Sequence, residues 1–264
     1  MRTHLTRTIL ALLALAAQAC SKSDNTRVKS QAGGEATVSP STDSAKAHNE
    51  ALVRVVNAIP GSGAIDVYAG DQQKFTKVEF KNATPYETLT ENTPNFKVVR
   101  AGAPDSTPLA TEMAIARDGH FYTIVALGAV GSPDSADHKV ALDVMRDDLV
   151  PGDSTKARIR VFNAASGSGD LDVFVEGQKD KDPLFNDVDV KDDDGFKDVA
   201  PGKMTLIVRP NDNANTLLRM PVELKAGQSL TLVLAHPTPT SKGIVGIKIT
   251  DEAKPASRMP KSGN

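Results

Sequence analysis

The feature that most constrains the fold of this chain is a sequence that occurs twice. The stretch that begins at Val53 reads VRVVNAIPGSGAIDVY, and the stretch that begins at Ile159 reads IRVFNAASGSGDLDVF. At an offset of 106 residues, nine of the fifteen positions from Val53 to Val67 are identical. Because the chain holds two copies of roughly 100 residues rather than many short ones, we expect two self-sufficient domains and not a solenoid.

The similarity between the two copies extends past this opening. VVR ending at Arg100 matches IVR ending at Arg209, and AIARDGHFYTIVALG matches ELKAGQSLTLVLAH with Gly119 and Gly227 at corresponding turns. An Asp-Gly pair between alternating runs is a hairpin signal, because glycine readily adopts positive φ. We therefore predict a hairpin at Gly119 and another around each Gly-Ser-Gly turn, at 61–63 and 167–169.

Both copies are composed of segments typical of strands. ALVRVVNA is short and β-branched, and AIDVYAG alternates apolar and polar residues. Turn signals recur about every ten residues, which is the rhythm of a β-sandwich or a β-barrel, and no segment has a capped helical period. We predict an all-β protein with domains at 51–150 and 155–252 and a polar Pro-Gly seam at 150–155.

The first residues of the chain predict export. Arg2, His4 and Arg7 precede the apolar run ILALLALAA, and small residues follow it. A basic start, a short apolar stretch and a small-residue end are typical of a secretory signal, here residues 1–19.

Cys20, the only cysteine, directly follows this signal. LAAQAC resembles a bacterial lipobox, whose thiol receives a diacylglyceryl group, and such acyl chains anchor a protein stably. The alternative is ordinary cleavage after Ala19, which would leave Cys20 as a free thiol. Ser21 follows the cysteine. By resemblance to Gram-negative lipoproteins, a serine at this position implies that the lipoprotein is transferred to the outer membrane. With Cys20 acylated, no disulfide can form within the chain.

Composition separates a folded body from its flanks. Residues 20–50 consist mostly of small, polar and charged residues, so we expect a disordered tether with a reach of roughly 30 Å. Residues 253–264 are expected to form a disordered tail. The formal net charge of -2 and the lack of a basic tract argue against a nucleic-acid partner.

The repeated openings RVVNAIPGSGAIDVY and IRVFNAASGSGDLDVF resemble the start of a bacterial cell-envelope repeat, the domain of unknown function four-three-nine-seven. The resemblance covers most of the range 51–252 and implies two tandem immunoglobulin-like β-sandwiches on a secreted or lipid-anchored protein. The family has no established activity, so the resemblance implies a location and a fold and leaves the chemistry open.

Several polar residues recur at matching places in the two copies. We predict that Arg54 with Asp66, and Arg160 with Asp172, form ion pairs across a hairpin, where such pairs fix strand register. The alternative is a repeated pair of binding residues. The amides of Asn57 and Asn163 are expected to stabilise the turns that follow their strands.

Two segments suggest ligand binding and are better explained without it. A strand, not a helix, follows each Gly-Ser-Gly turn, so neither turn has the helix N-terminus that a phosphate cradle needs. The segment NDVDVKDDDG could offer oxygens to Ca²⁺, but it lacks the EF-hand spacing, so we predict a solvated loop and no metal site. Its weak candidate ligands are Asp187, Asp189, Asp192 and Asp194.

Catalytic motifs are sparse. The histidines outside the signal are scattered, no G-x-S-x-G elbow is present, and the lack of Trp counts against sugar stacking. We predict a non-catalytic cell-envelope lipoprotein that serves as a protein-interaction, adhesion or spacer module and needs no cofactor. Its partners would be the membrane, through the lipid, and an envelope protein or glycan. The alternatives are a polysaccharide-binding module, which glycan arrays would test, and a hydrolase with a noncontiguous site, which a cleft gathering His with Ser or Asp would favour.

Overall fold

Runs of β-branched and aromatic residues, separated by Gly, Pro and Asn turns, form sixteen strands among the described residues. The structure is a computed structural model that describes residues 50–91, 93–130, 138–149, 153–178, 182–211 and 213–252. The predicted signal peptide, the lipidation site Cys20, the tether up to residue 49 and the tail 253–264 lie outside these residues. Within them, no helix has the length and hydropathy that a membrane crossing requires.

Repeat 1 consists of two four-stranded sheets. Its strands are β1 (Ala51–Asn57), β2 (Ile65–Ala69), β3 (Gln72–Val78), β4 (Glu87–Leu89), β5 (Asn95–Arg100), β6 (Ala110–Met113), β7 (Phe121–Leu127) and β8 (Ala141–Asp147). The inner sheet has the order β4-β1-β7-β8, and the outer sheet has the order β3-β2-β5-β6.

Repeat 2 follows the same plan. Its strands are β9 (Ala157–Asn163), β10 (Leu171–Val175), β11 (Phe185–Val188), β12 (Lys197–Val199), β13 (Gly202–Pro210), β14 (Leu218–Leu224), β15 (Gln228–Ala235) and β16 (Val245–Glu252). The inner sheet is β12-β9-β15-β16, and the outer sheet is β11-β10-β13-β14. The prediction of an all-β protein with tandem sandwich domains is confirmed.

The predicted hairpins are wrong in both repeats. β1 pairs in parallel with β7 in the inner sheet, whereas β2 belongs to the outer sheet, so the turn at 61–63 carries the chain from one sheet to the other. The turn at Gly119 likewise joins outer strand β6 to inner strand β7. Glycines with positive φ do form turns at both places, but these turns join strands of opposite sheets and not neighbours in one sheet.

Each repeat has its own apolar core, and a third apolar cluster joins the two repeats. Along β1, Val53 and Val55 point into the core of repeat 1, while Val56 points the other way. There it belongs to a cluster that also contains Phe162 of β9 and Val233 of β15. The inner sheets are thus buried on both faces, as expected for strands without polar alternation.

This third cluster lies between the two repeats. It consists of buried side chains from the inner sheets of both repeats: Val56, Ala58, Val125, Leu127, Met145, Phe162, Ala164, Val233, Ala235, Ile247 and Ile249. An isolated repeat would expose its half of this set to water. The two sandwiches therefore share this cluster in addition to their own cores, and we expect their stabilities to be coupled.

Candidate functional site at the junction of the repeats

The recurring arginines lie in the buried interface between the two inner sheets. Alternation along β1 places Arg54 on the same side as Val56, and alternation along β9 does the same for Arg160 and Phe162. Both arginines are almost fully buried, at 3% and 2% exposure. Charged groups in such a position must find partners, because removing a charge from water is expensive.

Arg54 finds its main partner in the other repeat. Its Nη1 and Nη2 donate to the two carboxylate oxygens of Asp251 on β16, each at 2.9 Å. Its Nε donates to Thr123 Oγ1 on β7 at 2.8 Å, and its guanidinium lies 4.5 Å from the ring centroid of Tyr86. The bidentate pair with Asp251 therefore links the first strand of repeat 1 to the last strand of repeat 2.

Arg160 makes the reciprocal connection. Its Nη2 donates to Asp147 Oδ1 on β8 of repeat 1 at 2.5 Å and also to Thr231 Oγ1 at 3.1 Å. Its guanidinium lies 4.7 Å from the ring centroid of Phe196. The guanidinium of Arg54 lies in the same way over the ring of Tyr86. Each arginine thus pairs with the aspartate of the other repeat. We call Arg54, Arg160, Asp147 and Asp251 the crossed cluster.

Asp147 is the most enclosed member of the crossed cluster. Its Oδ2 accepts a hydrogen bond from Thr123 Oγ1 at 2.6 Å and another from the Tyr86 hydroxyl at 2.7 Å. Arg54 Nη2 lies 3.7 Å from the same oxygen, and the Asp147 side chain has no exposed area. A carboxylate with this many donors is held in place and has no access to solvent.

The charges of the crossed cluster stabilise one another. Burial alone would lower the pKa of Arg54, but the nearby Tyr86, Asp147 and Asp251 raise it above its ordinary value. Burial raises the pKa of Tyr86, and the negative charge of Asp147 raises it further. The tyrosine therefore remains protonated and donates to Asp147, and the chemistry of the cluster is static charge pairing.

The predicted pairs Arg54–Asp66 and Arg160–Asp172 are wrong, because the strands that carry them belong to different sheets. The arginines face the interface, whereas both aspartates bind backbone on the outer sheets. The recurrence of these residues was a valid signal, but their partners were not local. The runs FYTIVAL and SLTLVLA contain no charged residue and few polar ones, which is the sequence signal of inner strands buried on two faces.

Asp66 and Asp172 each hold a backbone irregularity. Asp66 accepts hydrogen bonds from the N–H of Lys77 at 2.7 Å and from the N–H of Gly102 at 3.0 Å. Asp172 accepts from the N–H of Asp187 at 2.9 Å. Lys77 and Asp187 have φ values of 50° and 54°, and the strand registers shift there. The buried carboxylates thus fix the same bulge in both repeats.

Asn57 and Asn163 bind the turns that follow their strands. Asn57 Nδ2 donates to Gly63 O at 3.1 Å and to Val78 O at 2.9 Å. Its Oδ1 accepts from the N–H of Ile59 at 3.1 Å. Asn163 makes the corresponding bonds to Gly169 O, Val188 O and the N–H of Ala165. Both amides are fully buried and are fully used by the backbone around them.

The Gly-Ser-Gly turns also contact the opposite repeat. A Cβ on Gly61 would lie 2.8 Å from the side chain of Pro239, and a Cβ on Gly167 would lie 2.9 Å from the ring of His138. Glycine is needed at both places because each has a positive φ and a close neighbour across the junction.

A cleft of about 540 Å³ opens beside the second of these turns. His138 from repeat 1 lines it together with Ser168, His236, Ser241 and Lys242 from repeat 2. No acidic residue lines the cleft among the described residues. The cleft therefore offers hydrogen-bond donors and positive charge to a small polar ligand.

The cleft gathers histidine with serine, as the hydrolase alternative requires, but backbone groups engage His236 and Ser168. The two ring nitrogens of His236 lie 2.9 Å from Gly243 O and 3.1 Å from Ser166 O. Ser168 Oγ donates to Gly169 O at 2.8 Å. The arrangement is that of a cross-linked loop and not of a serine activated by a histidine.

The four candidate ligands of the acidic segment each have a partner within the protein. No group of three His, Cys, Asp or Glu side chains within the described ranges could hold a metal ion. Asp187 accepts from Asn211, and Asp194 pairs with Lys197 at 3.1 Å. Asp189 and Asp192 each accept the N–H of the following residue.

The tyrosines are not arranged as a sugar platform. Tyr68 and Tyr122 are 8% and 6% exposed, and the hydroxyl of Tyr86 is bound to Asp147.

Residues 51–174 match the family model described as a domain of unknown function, DUF4397. The match covers repeat 1 and continues through β9 and into β10 of repeat 2. No curated protein matches the chain.

Two solved structures resemble the chain weakly. The C-terminal domain of AlgF from P. aeruginosa is 20% identical and has a TM-score of 0.28, with coverage of 37% of this chain and 99% of that one. The CBMbc module (family CBM26) of Eubacterium rectale Amy13K, solved with maltoheptaose, is 12% identical and has a TM-score of 0.21, with coverage of 79% and 99%. Likenesses at this level carry no conclusion about function.

Proposed function

We propose that this protein is an exported, lipid-anchored and non-catalytic module of the cell envelope, in which both repeats have the DUF4397 fold and act as one binding or spacing body. The observation that carries the proposal is the crossed cluster. The arginines that recur in the two repeats join them, since Arg54 pairs with Asp251 and Arg160 with Asp147.

The shared interface supports a mechanical role. Two sandwiches on a flexible linker would move independently, whereas two sandwiches with a common apolar cluster and buried ion pairs resist relative motion. A body of this kind can present a partner surface in a fixed orientation, which suits adhesion or spacing. The proposed anchor at Cys20 and the proposed tether would hold this body at the membrane.

The anchor can be tested in a Gram-negative host that expresses the full chain. Metabolic labelling with an alkyne fatty acid should label the protein, and the label should disappear in the Cys20→Ala variant. Ser21→Ala is the matched control, since it changes the next residue and keeps the thiol. Mass spectrometry that finds an unmodified amino terminus on the wild-type protein would refute the lipid anchor.

The interaction role can be tested by photo-crosslinking on intact cells. A crosslinking amino acid placed on an exposed edge should capture one reproducible envelope protein, whereas the same group placed at the buried position Val56 should capture none. Turnover of envelope polysaccharide or peptide by the purified wild-type protein would contradict the non-catalytic part of the proposal.

A further inference from the structure

Repeat 1 leaves two large apolar side chains in water at the edge of its outer sheet. Met113 at the end of β6 and Ile115 just after it are 68% and 63% exposed, and no other large apolar side chain in the described ranges is exposed. Ala110 and Ala114 of the same segment pack against the core. By alternation, Met113 and Ile115 point away from the core, on the outer face of the edge.

Repeat 2 protects the corresponding edge. Met113 and Pro221 each lie six residues before the turn glycine, Gly119 or Gly227, and Ile115 and Glu223 each lie four residues before it. The strand pairing agrees, since the N–H of Leu109 donates to Val98 O at 2.8 Å and the N–H of Leu217 donates to Val208 O at 2.9 Å. Proline and charge on an edge strand prevent a further strand from pairing. At these two positions repeat 1 has neither proline nor a charged side chain, and the only charge on β6 is that of Glu112.

The backbone of β6 is available on its free side. Proline is tolerated within an edge strand only where its nitrogen points away from the sheet. Met113 stands at the position of Pro221. The N–H of Met113 therefore also points away from the sheet. The next N–H, that of Ala114, points inward and donates to Pro94 O at 3.2 Å. β6 pairs with β5 on its other side, and no strand among the described residues pairs with its free side.

A groove follows the same edge on the core side. A cavity of about 510 Å³ lies between β6 and the start of β8, with Leu109, Ala110 and Leu142 among its apolar lining. Lys139, Lys191 and Glu112 also line it, so its charge is positive on balance. Repeat 2 has an opening of similar volume, but there Pro221 and Glu223 form the edge.

We propose that β6 accepts an extended segment of another polypeptide as a fifth strand of the outer sheet of repeat 1. Alternate side chains of that segment would cover Met113 and Ile115 on one face and enter the groove on the other. The positive balance of the groove calls for a segment with apolar residues at its centre and a carboxylate beside Lys139 and Lys191. This proposal deepens the proposed function, because it names the surface and the kind of partner, and it rests on that function.

The test uses the purified full chain and two synthetic peptides. In both peptides valine alternates with threonine; one peptide is flanked by aspartates and the other by lysines. Fluorescence anisotropy should show that the aspartate peptide binds about tenfold tighter, since two lysines contribute modest attraction each. Hydrogen exchange should slow across β6 (Ala110–Met113) and remain unchanged across β14 (Leu218–Leu224).

Variants that copy the edge of repeat 2 provide the controls. Ile115→Glu should weaken binding of the aspartate peptide, and Met113→Pro should abolish it, with the melting temperature confirming that each variant folds. The double variant Lys139→Glu, Lys191→Glu should reverse the preference between the peptides. Glu223→Ile, which keeps Pro221, should not create binding at β14.

Three outcomes would overturn the proposal: equal binding of both peptides, protection of another strand, or protection of β6 in a wild-type dimer without peptide. The last outcome would assign the edge to a second copy of the chain. If the protein carries its lipid and crosslinks to a partner but binds neither peptide, the strand-addition proposal fails and the proposed function stands. If the protein binds the aspartate peptide but carries no lipid in the host, the strand-addition proposal stands and the lipid anchor fails.

Discussion

Arg160 of repeat 2 donates a hydrogen bond to Asp147 of repeat 1 at 2.5 Å, at a place where both side chains are almost fully excluded from water. The sequence separates these residues by a domain seam, but the fold makes them members of one charge cluster. A buried ion pair gives little net stability compared with an apolar replacement, yet the loss of one partner is strongly destabilising. This asymmetry makes the junction testable.

Asp147→Asn should lower the free energy of unfolding by about 3–5 kcal/mol, because the buried Arg160 would lose its hydrogen-bonded carboxylate and keep only Asp193, 3.9 Å away. Chemical denaturation at neutral pH measures the change. Glu223→Gln is the control, since its pair with Lys203 lies at 3.9 Å on the surface and should contribute less than about 1 kcal/mol. Equal effects of the two substitutions would mean that the crossed cluster is not buried in solution.

The double variant Arg160→Met, Asp147→Leu should be more stable than either single variant. Removal of both charges leaves no unpaired ion, so the coupling free energy across the two repeats should be about 1–3 kcal/mol. A double-mutant cycle from urea denaturation gives this number. Strictly additive effects would show that the two side chains do not interact.

The two repeats should unfold together. The shared apolar cluster links the inner sheets, so opening one repeat exposes the apolar face of the other. Differential scanning calorimetry should give a single transition for the full chain, with equal calorimetric and van't Hoff enthalpies. Two resolved transitions in the wild-type protein would contradict the coupling.

Gly61→Ala should destabilise the protein more than Gly63→Ala. Both glycines have positive φ, at 77° and 66°, so either alanine pays about 1–2 kcal/mol of backbone strain. At Gly61 the new Cβ would also lie 2.8 Å from Val130 O and from Pro239 Cγ, while nothing lies within 4 Å at Gly63. Melting temperatures of the two variants measure the difference, and equal losses would place Pro239 elsewhere.

Asp143→Asn should stabilise the protein at neutral pH. Burial raises the pKa of Asp143 above its ordinary value, so the folded state disfavours the carboxylate. The penalty is present above the folded pKa and vanishes below the unfolded value of 3.8, so the gain should disappear by about pH 3. Thermal melts of both proteins across this range provide the comparison, and a gain that persists in acid would exclude this cause.

Local sequence determined much of this protein. The β-branched runs and their turns specify an all-β chain, and the duplicated opening specifies that one sandwich plan is used twice. The recurrence of Asn57 and Asn163 also marks the turns that they bind, since each amide donates to a carbonyl of the turn that follows its strand, at Gly63 and Gly169. Signals of this kind survive in the sequence because the interacting groups lie within one turn.

Only the tertiary structure decided which sheet each strand joins and which aspartate each arginine meets. Arg54 and Asp251 are 197 residues apart, and no local pattern encodes a partner at that separation. The strand order shows that the turns at 61–63 and at Gly119 carry the chain of repeat 1 from one sheet to the other. The inner sheets of the two repeats face each other, so their strands are buried on two faces. Once those faces meet, the buried arginines must pair across the junction, because the interface excludes the water that would otherwise solvate them.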